Sequence, residues 1–209
     1  MTYVLAVDIG QVKDYTALVV LRSYSSEPAD ANMRTRAEKR HDLVHAERFR
    51  EVSYPEQVQR IEERYAHLRQ VAKDENADVA VVVDATGVGL PILDSLRAAN
   101  IPAEGVLITG GDATSRSGSV TRVPKRELVA TLQIALQSGR LRIAKDLALA
   151  NVLVNELQGF RAKITLSGHA KFGNDVGDWR EADHDDLVLA ASLAAWKVEQ
   201  RHEVRATIF

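Results

Sequence analysis

Three acidic positions in this sequence have the type and placement that could serve metal-assisted phosphodiester chemistry. They are Asp8 after the first apolar run, Asp84 after the run 79–83, and Asp185 or Asp186 before the last long apolar stretch. Like charges that lie close together are unfavourable unless a cation neutralises them. Because the donors are oxygens and the chain has no cysteine, Mg²⁺ or Mn²⁺ fits better than a thiolate-bound metal. Two such ions about 3.5–4 Å apart can activate water and stabilise the leaving oxygen of a phosphodiester.

Each acid also has an ordinary structural interpretation. An Asp after a strand is often a turn former, and an Asp at the amino end of a helix is often a cap stabilised by the helix dipole. Taken singly, each position favours that interpretation. Taken together, three acids at the ends of apolar elements favour a shared cation site, provided that the fold makes those elements neighbours.

The run 79–83 is the element around which we expect the others to be arranged. It has five consecutive apolar residues, four of them Val, and it is followed by Asp84 and a turn containing Gly87 and Gly89. This pattern is typical of a strand buried on both faces of a parallel or mixed sheet, covered by helices. Open α/β sheets place their chemistry at the carboxyl ends of such strands, which is where Asp84 stands.

The first half of the chain predicts a β meander and a helix. Residues 2–8 and 15–21 are β-prone runs separated by a short polar segment, which predicts an antiparallel hairpin. A long polar loop over 23–40 and a third strand over 41–50 follow. Ser53 and Glu56 form a capping-box pattern and predict a helix that reaches about residue 73.

The second half predicts alternating elements and ends in a buried helix. In chain order we expect a helix over 91–99, a strand over 106–109, a Gly/Ser/Thr loop over 110–121, helices from 124 to about 139 and from 146 to 157, and a hairpin over 160–172. The last helix begins near residue 184. It is apolar almost all round as far as Trp196, which predicts burial.

Composition limits the class of protein. With 209 residues and 45% hydrophobic content, the chain can bury a sizeable core, and we expect one domain over residues 1–209. We find no secretion signal and no apolar run near the roughly 20 residues of a membrane span, so we expect a cytoplasmic protein without membrane contact. The net charge of -2 argues against wholesale nonspecific binding of nucleic acid.

Charge is unevenly distributed, however. Residues 111–145 contain seven basic and two acidic residues, a local balance of +5. By itself this segment favours a solvated helix face with its flanking loop.

Three blocks of sequence resemble the signature blocks of the nuclease domain of phage large terminase subunits, in the same order. The first is Asp8-Ile9-Gly10 followed by Lys13-Asp14-Tyr15-Thr16-Ala17, the second is Asp84-Ala85-Thr86-Gly87-Val88-Gly89, and the third is His184-Asp185-Asp186-Leu187-Val188-Leu189-Ala190. The resemblance implies an α/β, ribonuclease H-like fold with a mixed central sheet, its first three strands antiparallel, and helices on both faces. It also implies a metal-dependent endonuclease that cuts concatemeric double-stranded DNA during genome packaging.

The resemblance also implies roles for individual residues. Asp8 would bridge two divalent cations, Mg²⁺ or Mn²⁺, while Asp84 and Asp186 would each hold one. Asp186 is favoured over Asp185 because Leu-Val-Leu-Ala follows it, as in the related Holliday-junction resolvases. Asp183 would be an auxiliary ligand or base. His184 is a weaker candidate for orienting an acid or activating water.

Basic residues on either side of the acids are the candidates for phosphate contacts. Similar terminase domains use a hairpin near the one predicted over 160–172. The candidates are Arg116, Arg122, Lys125 and Arg126 in one segment and Arg161, Lys163 and Lys171 in the hairpin.

One feature departs from complete large terminases, which also carry a packaging ATPase. The sequence contains no G-x-x-x-x-G-K-[ST] phosphate loop. The chain is therefore expected to be an excised domain or a split gene product. Its partners would be double-stranded DNA, a packaging ATPase domain or subunit, and the portal or small terminase.

Two other functions remain open on the residues alone. Asp-x-Gly also begins actin-like phosphotransferases and ATPases, although these need a second phosphate loop and a larger adenosine subdomain. A noncatalytic DNA-binding or docking module with the same fold is the other alternative.

Overall fold

The computed structural model describes residues 1–11, 13–26, 38–159, 161–164, 170–173 and 185–206. Its strands are β1 Thr2–Asp8, β2 Thr16–Ser26, β3 Glu38–Phe49, β4 Asp78–Asp84, β5 Ala103–Thr109, β6 Ser115–Ser117, β7 Val120–Pro124, β8 Leu141–Ile143, β9 Arg161–Ile164 and β10 Ala170–Gly173. Its helices are α1 Tyr54–Asp74, α2 Gly89–Ala98, α3 Lys125–Gln137, α4 Ala150–Gly159 and α5 Asp186–Ala206.

Among the described residues, eight strands form one mixed sheet in the order β6-β7-β5-β4-β1-β2-β3-β8. Strands β1, β2 and β3 are an antiparallel meander. Strands β4, β5 and β7 continue the sheet parallel to β1, and β8 pairs in parallel with β3. Strands β9 and β10 form a separate antiparallel hairpin. The mixed sheet and its antiparallel opening are as predicted.

Helices cover both faces of this sheet. Alternate residues of β1 belong to different cores: Val4 and Ala6 pack with α3, α4 and α5, whereas Leu5 and Val7 pack with α1 and α2. This alternation is what a strand buried on both sides requires. Each fully buried Val or Leu side chain contributes about 1.5–3 kcal/mol to stability relative to its exposed state.

Helix α5 is the central helix of one face. It packs against β1, β2, β4 and α3, and its residues from Leu187 to Ala195 include alanines at 190, 191, 194 and 195 that are almost completely buried. These small side chains allow the helix backbone to approach the sheet closely. The predicted burial of this helix is confirmed.

Several predicted boundaries are wrong. Strand β2 continues to Ser26 and β3 begins at Glu38, so both ends of the predicted loop 23–40 are strand, while residues 27–37 lie outside the described part. Strand β6 and the beginning of β7 lie within the predicted loop 110–121. Strand β7 is part of the sheet, and its residues Thr121 and Val123 are buried. Strand β8 was not predicted, and α4 begins at Ala150 rather than at residue 146.

The predicted capping box is also wrong. Ser53 precedes α1 in an extended conformation but makes no side-chain cap. The carboxylate of Glu56 accepts a hydrogen bond from Arg60, one turn further along, at 3.4 Å. In the described residues, no helix is both long enough and apolar enough to cross a membrane.

Candidate functional site

Asp8 and Asp84 lie side by side at the carboxyl ends of β1 and β4. The last paired residues of these parallel strands are Val7 and Val83, and the two acids are the next residues of each strand. Both continue the alternate positions that face α5, since Ala6 and Val82 precede them in that core. Their exposures are only 8% and 9%. The fold therefore places two largely desolvated carboxyl groups together.

The turn after Asp84 explains the sequence Asp84-Ala85-Thr86-Gly87-Val88-Gly89. Asp84 Oδ1 accepts a hydrogen bond from the Thr86 N–H at 2.8 Å, and Thr86 Oγ1 accepts one from the Ile108 N–H at 3.0 Å. Gly87 has φ +60°, and a Cβ at Gly89 would lie 1.9 Å from the carbonyl oxygen of Asp84. Only glycine allows α2 to begin this close to the strand end.

The turn after Asp8 is fixed by a buried polar network that the sequence analysis did not identify. The Gly10 N–H donates to Thr16 Oγ1 at 3.0 Å, and the Thr16 hydroxyl donates to Gln57 Oε1 at 2.9 Å. Gln57 Nε2 then donates to the Val52 carbonyl at 3.1 Å. Thr16 and Gln57 are 1% and 2% exposed. The network joins the β1–β2 turn to α1 and so holds the end of β1 in place.

The third acidic element is the amino end of α5. Asp186 is its first residue, and the preceding Asp185 accepts a hydrogen bond from Lys125 Nζ at 3.1 Å. Asp183 and His184 lie outside the described residues. The two neighbouring acids thus differ, because Asp185 has a lysine partner on α3 whereas Asp186 lies at the start of the buried helix.

The pKa values show that these acids form one electrostatic cluster. Burial raises the pKa of Asp8 well above its ordinary value, and the nearby charges of Asp84, Asp186 and Asp185 raise it further. Burial also raises the pKa of Asp84, opposed by the hydrogen bond from Thr86 and the charge of Lys125. Burial raises the pKa of Asp186 to about 6, and the charge of Asp185 adds to the effect.

A fourth acid, Glu156 of α4, also reaches this end of α5. Glu156 is 5% exposed. Its Oε2 accepts hydrogen bonds from the N–H groups of Leu187 and Val188 at 3.0 and 3.2 Å, and Arg48 Nη1 of β3 lies 2.9 Å from its Oε1. Burial raises its pKa to about 7 in spite of these partners. The sequence analysis did not identify it, although a lone acid in the apolar helix α4 was an available signal.

The donor set suits a hard divalent cation, although its present arrangement is not a coordination shell. Every candidate donor is an oxygen, and the excess of buried negative charge is what a cation would neutralise. In the part of the chain that the structure describes, no three His, Asp or Glu side chains are positioned to hold one metal ion. Asp8 and Asp84 are close enough for each to affect the pKa of the other.

The predicted phosphate-contact residues differ in their exposure and in their partners. Arg122 is exposed on β7, and Arg116 is exposed on the edge strand β6, where it donates to the Gly118 carbonyl at 3.4 Å. Arg126 forms an exposed ion pair with Asp112 at 2.7 Å. Arg161, Lys163 and Lys171 are in the β9–β10 hairpin, and the last two are directly opposite each other.

A mixed sheet that opens with three antiparallel strands and places acids from β1, β4 and the last helix at one edge is typical of the ribonuclease H-like class. The family model described as terminase RNaseH-like domain matches residues 5–197. The chain therefore belongs to this family, which is the one the three sequence blocks indicated, and it is a nuclease domain of the packaging-terminase type. No curated protein matches the chain.

Solved structures with this fold include three terminase nucleases. The large terminase nuclease from thermophilic phage G20c with bound magnesium is 23% identical, with 94% of this chain and 81% of that chain covered and a TM-score of 0.55. The nuclease domain from Thermus phage P74-26 is 20% identical, with 92% and 77% covered and a TM-score of 0.52. The human cytomegalovirus terminase nuclease domain, soaked with manganese and inhibitor-bound, is 14% identical, with 97% and 86% covered and a TM-score of 0.52. These matches confirm the predicted fold.

Proposed function

We propose that this nuclease domain is the metal-dependent endonuclease of a viral genome-packaging terminase and cuts concatemeric double-stranded DNA. The observation that carries the proposal is the buried acid pair Asp8 and Asp84, with Asp186 close enough to raise the pKa of Asp8. Burial of several carboxyl groups near one another is unfavourable unless a cation neutralises them, and such clusters are therefore candidates for functional sites. Membership of the terminase family supplies the substrate class.

In this proposal, Asp8, Asp84 and Asp186 would hold two divalent cations, and Asp185 or Asp183 would be auxiliary. Mg²⁺ or Mn²⁺ bound there would activate a water and stabilise the leaving oxygen of the phosphodiester. Two of the structural relatives were studied with magnesium or manganese, which supports the choice of ions.

The protein itself contributes position and charge. The Thr86 N–H orients the Asp84 carboxylate, and Lys125 holds Asp185. Phosphate contacts supply most of the sequence-independent affinity of proteins for DNA. We assign those contacts to Arg116, Arg122, Lys125 and Arg126 on one side and to the hairpin residues Arg161, Lys163 and Lys171, with His184 as a lesser auxiliary.

The cutting activity would be coupled to a packaging motor. We propose as partners a packaging ATPase domain or subunit and the portal or small terminase, in the cytoplasm of the host cell. The chain would act there as one nuclease domain.

A plasmid-cleavage assay tests the proposal. Supercoiled plasmid should be nicked and linearised with Mg²⁺ or Mn²⁺ and left intact with EDTA. Asp8→Asn should fold normally and lose at least about 10³-fold in cleavage rate, because it loses a charged metal ligand. Asp78→Asn is the matched control, since Asp78 is exposed at the other end of β4, and it should cleave at the rate of the unmodified chain.

Other outcomes would overturn the proposal in specific ways. Full activity of Asp8→Asn would remove that residue from the mechanism. Metal-independent DNA binding without cleavage in Mn²⁺ would favour the noncatalytic module. ATP turnover without nuclease activity would favour the actin-like alternative.

A further inference from the structure

We infer that Glu156 is a positioning residue that anchors the amino end of α5 and thereby fixes Asp186 relative to Asp8. The inference rests on the proposed function in one respect, which is that Asp186 is a metal ligand. Glu156 itself is not assigned as a ligand, because both of its carboxylate oxygens are already engaged within the protein.

The first element of the argument is the pair of N–H groups that Glu156 receives. The first turn of any helix has N–H groups without acceptors inside the helix, and a side chain just before the helix commonly accepts them. Here the acceptor is Glu156 Oε2, 3.0 and 3.2 Å from the nitrogens of Leu187 and Val188. It comes from α4, 31 residues earlier in the chain than Leu187. The contact therefore fixes one helix against another at the residues that directly follow Asp186.

The second element is Arg48, which connects Glu156 to the sheet. Arg48 pairs across β3 and β2 with Ala17, and Ala17 pairs across β2 and β1 with Asp8. Arg48 thus stands at the same level of the sheet as Asp8, two strands away. Its guanidinium lies 2.9 Å from Glu156 Oε1 and 4.1 Å from the centre of the Tyr15 ring. Arg48 therefore connects the part of the sheet that contains Asp8 to Glu156 and, through Glu156, to α5.

The third element is the cost of placing a carboxylate there. A buried carboxylate is unfavourable unless hydrogen bonds and an opposite charge compensate it. An apolar residue would serve the packing of α4 equally well, as Leu153 does on the same helix. A buried acid with two helix N–H donors and an arginine is therefore best explained by a demand for position rather than for stability.

Four variants test the inference, with two readouts for each. The variants are Glu156→Ala, Glu156→Gln, Arg48→Met and the control Glu199→Gln. Glu199 is also paired with an arginine, Arg140, but lies near the other end of α5. The first readout is the dissociation constant for Mn²⁺, measured by electron paramagnetic resonance. The second is hydrogen exchange at the Leu187 and Val188 amides without metal, with the melting temperature checking that each variant folds.

Loss of Glu156 should act locally and specifically. Glu156→Ala should weaken Mn²⁺ binding about 10- to 100-fold, as other outer-sphere partners of metal ligands do, and should speed exchange at both amides at least about 10-fold. Glu156→Gln keeps an acceptor and should restore slow exchange and most of the affinity. Arg48→Met should weaken Mn²⁺ binding with a smaller effect on exchange. Glu199→Gln should leave Mn²⁺ affinity within about twofold.

The two readouts separate this inference from the proposed function. If Glu156→Ala folds with unchanged exchange or unchanged Mn²⁺ affinity, the positioning role is wrong. If Glu156→Ala does not fold, then unchanged Mn²⁺ affinity in Arg48→Met is the overturning result. If the unmodified chain binds no Mn²⁺, the proposed function fails, whereas accelerated exchange in Glu156→Ala still supports the anchoring of α5.

Discussion

The acidic side chains near the two ends of α5 have opposite electrostatic surroundings. At the amino end, burial raises the pKa values of Asp8, Asp84 and Asp186, and the charges of Asp84 and Asp186 raise that of Asp8 further. Towards the other end, Glu199 faces His41 and Arg140, which lower its pKa. The carboxylates are of similar type on the same helix and sheet. Their different surroundings are what distinguish a site from a structural ion pair.

This difference distinguishes a region where charges stabilise the fold from a region that is suited to bind a cation. Glu199 and Arg140 have opposite charges, so this pair stabilises the native state as it stands. At the amino end, the positive charges of Lys125 and Arg48 oppose the negative charges of the acids. A cluster of acids whose negative charge a further cation would neutralise is a candidate functional site on physical grounds.

The largest expected effect is a separation of activity from stability. Asp84→Asn should reduce Mn²⁺-dependent cleavage by at least about 10³-fold without lowering the free energy of unfolding, because it removes repulsion and keeps an oxygen for the Thr86 N–H. Glu199→Gln should keep cleavage within about twofold and lower that free energy by about 1–2 kcal/mol. Plasmid cleavage and urea unfolding measure the two quantities. The comparison fails if Asp84→Asn is the variant that loses stability.

The next effect is the pH dependence of stability. The pKa of Asp186 is about 6 in the folded chain against an ordinary 3.8, so the folded state binds more protons than the unfolded state between these values. Without metal, this residue should lower the free energy of unfolding by about 2 kcal/mol as pH rises from 4 to 6. Asp8 and Asp84 act in the same direction.

A divalent cation should reverse that trend. Ligand carboxylates must lose their protons to bind it, so stabilisation by Mn²⁺ should increase as pH rises through about 6. Glu199 has the opposite sign, because its lowered pKa contributes stability at neutral pH that is lost on acidification. Melting temperatures from pH 4 to 8, with EDTA or with Mn²⁺, check this. A metal shift independent of pH would contradict the assignment of Asp186.

The smallest of these effects concerns a neutral network beside the acids. Thr16→Val removes the hydroxyl that joins the Gly10 N–H to Gln57 and leaves both groups buried without that partner. It should cost about 1–3 kcal/mol of stability, whereas Thr16→Ser should cost less because it keeps the hydroxyl. Urea unfolding measures both variants. Equal losses in the two would show that methyl packing, and not the hydrogen bonds, is what Thr16 supplies.

The sequence was most informative where a local pattern determines the structure. The apolar run 79–83 can hardly be anything but a strand buried on both faces, and the Gly-containing turn after it makes Asp84 a strand-end residue. The apolar helix from Asp186 had to be buried for the same reason. The resemblance of the three sequence blocks to terminase nucleases then implied the mixed sheet with helices on both faces.

The missed features depend on partners that are distant in the chain. Strand β8 is only three residues long, and it forms because β3 offers an edge about 100 residues earlier. The role of Glu156 depends on its contact with α5, and the role of Gln57 depends on its hydrogen bond with Thr16. The capping box failed because Glu56 had an alternative partner in Arg60. The single domain over 1–209 and the metal ligands stay predictions.

The pairing of β1 with β4 has a consequence for how this chain can vary. Side chains alternate between the two faces of a sheet. A shift of one residue in β1 or β4 would therefore move one acid to the opposite face, although the strand would remain equally hydrophobic. The effect of an insertion within these strands therefore depends on whether the number of added residues is odd or even. Insertions or deletions of an odd number of residues within β1 or β4 should abolish cleavage although the protein still folds, whereas the surface loops can become longer.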